Sequence, residues 1–292
     1  MKPVKKLFPT DRPSSPDGLL SVTGPSRAVG YLSLALITVL IFLAGCAATG
    51  VNVSDFNLVS SAQEVQMGDS LSVEVEAKYP ILKNEIVGAY VNEVGQRIVS
   101  VCDRRDITYY FKVIADHKQV NAFALPGGHI YVYEGLLLEA SNEAQLAAVL
   151  AHEVGHVVAR HSTKQLTKQY GYSLLVSLIL GNQPGRWSGL AADLFGTAGL
   201  LKFSRDDEYE ADRMAVIYSN AAGYSPVAVA DFLGKLQAME GREPGKLESL
   251  LMTHPPTSER IGRVQAEIAV LPSSSKGTFP ERYLSRTSSI RK

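Results

Sequence analysis

Residues 151–156 read Ala151-His152-Glu153-Val154-Gly155-His156, and no other stretch constrains the fold as tightly. Two histidines four apart on a helix point the same way, so both imidazoles can reach one metal ion. The glutamate between them lies close enough to handle the proton of a water on that metal. The segment must therefore be helical. Ser141 and Asn142 are both good N-caps for it, and the pattern predicts a helix running past Arg160.

A zinc site for hydrolysis needs three protein ligands and an open fourth position. His152 and His156 supply two. His161 fails as the third, because five residues beyond His156 it is rotated by about 140° on a helix of about 3.6 residues per turn. It is expected to be a polar surface histidine. The stretch Ser204-Arg205-Asp206-Asp207-Glu208-Tyr209-Glu210-Ala211-Asp212 is a better source. Ser204 and Asp207 form a capping signature for a new helix, on which Glu208 and Asp212 share a face. One carboxylate can bind zinc while the other accepts the second N–H of a ligand histidine. Spacing leaves open which acid is the ligand, since Asp206, Asp207 and Glu210 lie nearby.

At this point the chain resembles a known family. The HtpX-like and CAAX-prenyl-protease family of gluzincin metallopeptidases carries His-Glu-x-x-His and, downstream, Glu-x-x-x-Asp. Here these are His152-Glu153-x-x-His156 and Glu208-x-x-x-Asp212. The resemblance extends to Asn121-Ala122-Phe123-Ala124-Leu125-Pro126-Gly127-Gly128, to Ser204-Arg205, and to His254-Pro255-Pro256 followed by Arg260-Ile261. It is similar above all to the periplasmic lipoprotein members, without the C-terminal helical repeats that some of them carry. The resemblance implies a zincin-like metallopeptidase domain, one zinc ion per chain, ligands His152, His156 and Glu208, and Asp212 behind them. Glu153 would be the catalytic base and acid. His254 is a candidate donor to the oxyanion. A histidine at that place in related proteins can approach the metal, so it is equally a candidate gate, and a plain turn residue beside two prolines is the remaining alternative. Arg205, Tyr209 and Arg213 are weaker candidates for that donor, with bracing of the acidic helix as the alternative.

The rest of the pattern is mostly helical with a small sheet, an α+β class. Helices are predicted over Ser61–Ala77 and over Asn84–Ser100, the second with Ile86, Tyr90, Val91, Val94 and Ile98 on its apolar face. Strands are predicted over Thr108–Ile114, Asn121–Leu125 and His129–Tyr133. Ser225-Pro226 opens another helix, and a final one covers Thr257–Val270. A substrate peptide can bind by strand addition. The expected edge is the strand at Gly127, Gly128, His129, Ile130 and Tyr131, where the glycines permit close backbone approach. The glycine-interrupted apolar segment 170–202 reads as a buried helical hairpin, while the family resemblance implies instead a mobile plug over the zinc. Gly155 costs about 1 kcal/mol relative to alanine inside a helix, which hints at tight packing against it.

The N-terminus looks like an export signal rather than part of the fold. Basic residues from Lys2 to Arg27 precede the apolar run Tyr31–Leu43, which ends in Leu43-Ala44-Gly45-Cys46. A span of the membrane needs about 20 apolar residues, and this run is shorter. Leu-Ala-Gly-Cys resembles a bacterial lipobox, which implies cleavage before Cys46 and lipidation of its thiol. The expected organisation is a signal peptide over 1–45, a lipidated tether over 46–60, the metallopeptidase domain over 61–271 and a disordered, serine-rich tail over 272–292. Only two cysteines are present, Cys46 and Cys102, so no disulfide framework is expected and Cys102 reads as a buried thiol. The formal net charge of zero gives no reason to expect a nucleic-acid partner. The expected function is hydrolysis of misfolded or stalled envelope proteins, from a lipid anchor at the outer membrane facing the periplasm. The alternative is an assembly factor for outer-membrane proteins, working with the assembly machinery, with latent or minor proteolysis.

Overall fold

The computed structural model describes residues 59–171, 177, 202–240, 242–255, 257–272 and 276–291. Expectations for the signal, for Cys46 and for most of segment 170–202 lie outside them. The described helices are α1 (Ser61–Lys78), α2 (Glu85–Val99), α3 (Glu134–Glu139), α4 (Glu143–Val158), α5 (His161–Tyr170), α6 (Arg205–Ala221), α7 (Val227–Glu240), α8 (Pro244–Thr253), α9 (Ser258–Ala269) and α10 (Pro280–Thr287). Three strands, β1 (Tyr110–Ile114), β2 (Ala122–Ala124) and β3 (His129–Tyr133), form one sheet in the order β1-β3-β2.

β3 is the central strand, parallel to β1 and antiparallel to β2. All five of its residues are buried, because both faces of the sheet are covered. Ile130 and Val132 point into a large core with α2, α4 and α6, whereas Tyr131 and Tyr133 point into a smaller core with Met67, Leu71 and Val75 of α1. The period-two alternation of a strand thus feeds two cores at once. This overturns the expected edge at residues 127–131, since both sides of β3 are already hydrogen-bonded to neighbours. The glycine pair serves the protein's own chain. At Gly127 (φ 75°) a Cβ would lie 2.7 Å from the Val65 Cα, and at Gly128 (φ 100°) one would lie 2.5 Å from the Thr108 carbonyl oxygen.

α2 starts where Asn84 accepts from the Val87 N–H. It buries Val87, Tyr90, Val91, Val94 and Ile98, while Ile86, expected on that face, is 60% exposed. Only the first member of the expected stripe differs, with Val87 buried in place of Ile86. α4 is capped by Asn142, which accepts from the Gln145 N–H at 3.0 Å. It stops at Val158 rather than passing Arg160, because Arg160 adopts φ 59°, ψ 34°. That left-handed residue breaks the helix and starts α5 in a new direction. Gly155 faces α6: a Cβ there would lie 3.2 Å from both the Cα and the carbonyl oxygen of Ala211, so the bare backbone lets the two helices close up.

The tail is a further correction. Residues 276–291 are ordered against the domain, with α10 at their centre. Tyr283 is fully buried and donates to the Leu137 carbonyl at 2.6 Å. Arg282 pairs with Glu143, a fully buried carboxylate that also accepts from the Tyr90 and Tyr224 hydroxyls at 2.8 Å each. Arg291 donates to the carbonyls of Leu137 and Ala140 near the end of α3. Serine-rich composition hid this, because a few anchors meeting a buried acid outweigh it. Cys102 is a free, fully buried thiol.

Candidate active site

α4 supplies His152, Glu153 and His156, and α6 supplies Glu208 and Asp212. The close α4–α6 contact through Gly155 and Ala211 brings the two sets together. The His152 and His156 Nε2 atoms are 3.0 Å apart, facing one point, as i, i+4 spacing requires. Glu208 Oε1 lies 3.4 Å from His156 Nε2, and Glu208 Oε2 lies 3.5 Å from His152 Nε2. His254, the C-cap of α8, joins them: its Nδ1 is 2.8 Å from Glu208 Oε1 and its Nε2 is 4.0 Å from Glu153 Oε1. One ligand atom from each of His152, His156, Glu208 and His254 lies within 4.8 Å of the others. All four residues are buried.

Behind this cluster stands a second set of contacts. Asp212 Oδ1 is 3.0 Å from His152 Nδ1. Arg260, in the first turn of α9, forks onto Asp212 with two bonds of 2.7 Å and reaches Glu208 Oε2 at 2.8 Å. His161 is not on the surface: it is 1% exposed, and its Nδ1 is 2.9 Å from His156 Nδ1. Its Nε2 faces Glu210 at 3.2 Å and Asp207 at 3.3 Å. The rotation of about 140° assumed one continuous helix, and the break at Arg160 removes that premise. Phe203 stacks on the His156 ring, with centroids 4.1 Å apart. Tyr209 and Arg213 lie away from the cluster: Tyr209 sits under the Arg263 guanidinium, and Arg213 is 65% exposed beside Glu267.

Spacing assigned Arg260 no role, although it belongs to the quoted His-Pro-Pro motif. The available signal was an arginine six residues after His254, in reach of an acidic helix. Nothing in the sequence marked Phe203.

The electrostatics favour a cation at the centre. Burial disfavours a charged His152, but the Asp212 and Glu208 carboxylates outweigh it and push its pKa up to about 10. Glu208 is also buried, yet His254 and the two helix histidines hold it well below the usual carboxylate range. Asp212 is lowered too, because the Arg260 fork overcomes its burial. A deeply buried carboxylate that stays ionised between imidazole nitrogens attracts positive charge, and a nitrogen–oxygen set of this kind suits zinc. Glu153 differs: burial raises its pKa, and its Oε2 has no hydrogen-bond partner. A lone buried carboxylate oxygen beside a metal-ligating cluster is costly unless something else uses it.

The model of Peptidase family M48 matches residues 85–268, more than half of the chain. The chain belongs to peptidase family M48. The four-residue cluster fits the zinc that metallopeptidases of this family use. Among curated proteins, the chain is 30% identical over 212 residues to the beta-barrel assembly-enhancing protease of Escherichia coli K12, covering 70% of this chain and 43% of that one. It is 34% identical over 218 residues to the mitochondrial metalloendopeptidase OMA1 of Schizosaccharomyces pombe, covering 72% and 62%. Metalloprotease YcaL of Escherichia coli K12 is 24% identical over 258 residues, covering 82% and 97%. The chain therefore spans less than two thirds of the first two relatives' own length.

Proposed function

We propose that this chain is a zinc-dependent endopeptidase of the bacterial cell envelope that hydrolyses misfolded or stalled envelope proteins. The observation that carries the reading is the convergence of His152, His156 and Glu208 beside the unpartnered oxygen of Glu153. In this reading His152, His156 and Glu208 hold the zinc. Asp212 fixes His152 through its Nδ1, and Arg260 holds Asp212 and Glu208 in place. Zinc in such a site supplies Lewis acidity toward a carbonyl and toward water. Glu153 takes the proton of the attacking water on its free oxygen and delivers it to the nitrogen of the leaving amine. A raised pKa suits that double duty, because the group must hold the proton between the two transfers.

His254 has its Nδ1 among the metal-ligating atoms, where it competes for the position a reacting carbonyl needs. That supports a gate rather than an oxyanion donor in this arrangement. The name of the Escherichia coli relative couples proteolysis to β-barrel assembly, which supports an envelope role and keeps assembly as the second reading. Among the described residues no helix is long and apolar enough to cross a membrane. The Leu43-Ala44-Gly45-Cys46 stretch supports attachment by lipid at Cys46, and Ala47 after it, where an aspartate would oppose export onward, supports the outer membrane.

The deciding experiment is Glu153→Gln in the full chain. It is expected to retain one zinc per chain by elemental analysis and to lose hydrolysis of an unfolded protein substrate. Undiminished hydrolysis would overturn the assignment of Glu153, and absence of zinc from both proteins would overturn the metal reading. Retention of envelope function in cells by the variant would favour the assembly reading. His254→Ala separates its two roles: a gate predicts faster hydrolysis, an oxyanion donor slower.

A further inference from the structure

α1 meets the C-terminal end of the metal-binding helix α4 through one carboxylate. Glu64, in the first turn of α1, is 1% exposed. Its Oε1 and Oε2 accept from the Arg104 guanidinium at 3.2 and 3.0 Å. Its Oε2 also accepts from Arg160 Nε, while Arg160 Nη2 donates to the carbonyl of Val59, just ahead of α1. The Gly127 N–H donates to Oε1 at 3.4 Å. Both arginines also act on α4. Arg104 Nη1 donates at 3.0 Å to the carbonyl of Val157, the residue after His156. Arg160 is the residue whose left-handed backbone, φ 59°, ends α4, and beyond it His161 Nδ1 lies 2.9 Å from His156 Nδ1.

A residue with a Cβ enters the left-handed region only at a cost, and it stays there when its surroundings hold it. What holds the Arg160 side chain is Glu64 and the Val59 carbonyl. An exposed ion pair would add little. This carboxylate is removed from water, so loss of its charge leaves the guanidinium groups of both Arg104 and Arg160 uncompensated. We propose that Glu64 is a positioning residue for the metal site: it holds Arg160 in the left-handed turn that keeps His161 against His156. The inference rests on the zinc reading of that site and adds a residue from α1, a helix that supplies none of the four metal-ligating side chains.

Zinc affinity of the full chain, measured by competition with a chromophoric chelator, tests the role without recourse to activity. Glu64→Gln keeps the shape of the side chain and removes its charge. It is expected to weaken zinc binding about tenfold, the lower end of the range for groups that orient a metal ligand. In a His161→Ala background the same substitution is expected to cost less than about twofold, because the route from Glu64 to His156 is already cut. A general loss of stability would instead add equally in both backgrounds. Wild-type affinity in Glu64→Gln, or equal losses in the two backgrounds, would overturn the proposal. Arg160 gives a second route should circular dichroism show that Glu64→Gln does not fold. Arg160→Ala loses the ion pair and resists the left-handed turn, so zinc binding should again weaken about tenfold. Arg160→Gly loses the same ion pair but adopts φ 59° freely, and should recover most of the affinity. Unchanged affinity in the alanine variant, or glycine as weak as alanine, overturns the link through the turn. A wild-type chain that binds no zinc overturns the metal reading and this inference with it, whereas a zinc-binding wild type with unmoved variants overturns the role of Glu64 alone.

Discussion

His161 shows how one backbone torsion recruits a residue. Arg160 at φ 59° turns the chain so that His161 comes back against His156, and Glu210 and Asp207 close the line behind it. If His156 binds zinc through Nε2, as proposed, its Nδ1–H would donate to His161 Nδ1 and the His161 Nε2–H would face the carboxylates. His161→Ala is expected to weaken zinc binding by about 10–100-fold, measured by competition with a chromophoric chelator. Partial recovery in His161→Gln is expected, because the amide can still accept. Wild-type affinity in the alanine variant would show that the contact is idle. Cys102 is a second residue-scale case. Burial raises its thiol pKa, and the thiolate is the reactive form. In a Cys46→Ala background, iodoacetamide should leave Cys102 unmodified in buffer and label it at the rate of global unfolding in urea.

At the scale of elements, two helices were legible because their evidence is local. The i, i+4 pairs His152/His156 and Glu208/Asp212 need only 3.6-residue periodicity, and the Ser204–Asp207 capping box needs only three residues of chain. The strand β3 was legible by its alternation, but its central place was not. A period of two says that side chains alternate, and only the packing of α1 on one face shows that both faces are buried. The tail failed for a related reason: α10 is held by Glu143, which lies over a hundred residues earlier in the sequence. Glu143 joins α2, α4, α10 and the Tyr224 turn through Tyr90, Arg282 and Tyr224. Replacing it with alanine strands two buried hydroxyls and an arginine. A loss of about 3 kcal/mol is expected, read from the urea midpoint with the m-value unchanged. Zinc content should be preserved at low temperature, since the residue does not touch the site.

At the scale of the whole molecule, the anchor and the enzyme make independent demands. If Cys46 carries lipid, Cys46→Ser should abolish incorporation of an alkyne-tagged fatty acid and release the protein from the membrane fraction. Peptide hydrolysis by the released protein should be within about twofold of wild type, because the substitution leaves His152, Glu153, His156 and Glu208 unchanged. Membrane association that survives Cys46→Ser would remove the lipid anchor from the proposal. The sequence by itself determined the candidates: a histidine pair with a glutamate between them, an acidic helix that can add a carboxylate, and that helices must carry them, because each of these depends on spacing within a few residues, while the choice among the acids stayed open. The tertiary structure alone decided which way those residues face their neighbours. The α4–α6 approach across Gly155, the fork of Arg260 on Asp212, the return of His161 and the contact of Glu64 with Arg160 all arise where distant segments meet. Helix rotation and strand order are set by the packing of the whole core, which no local pattern encodes.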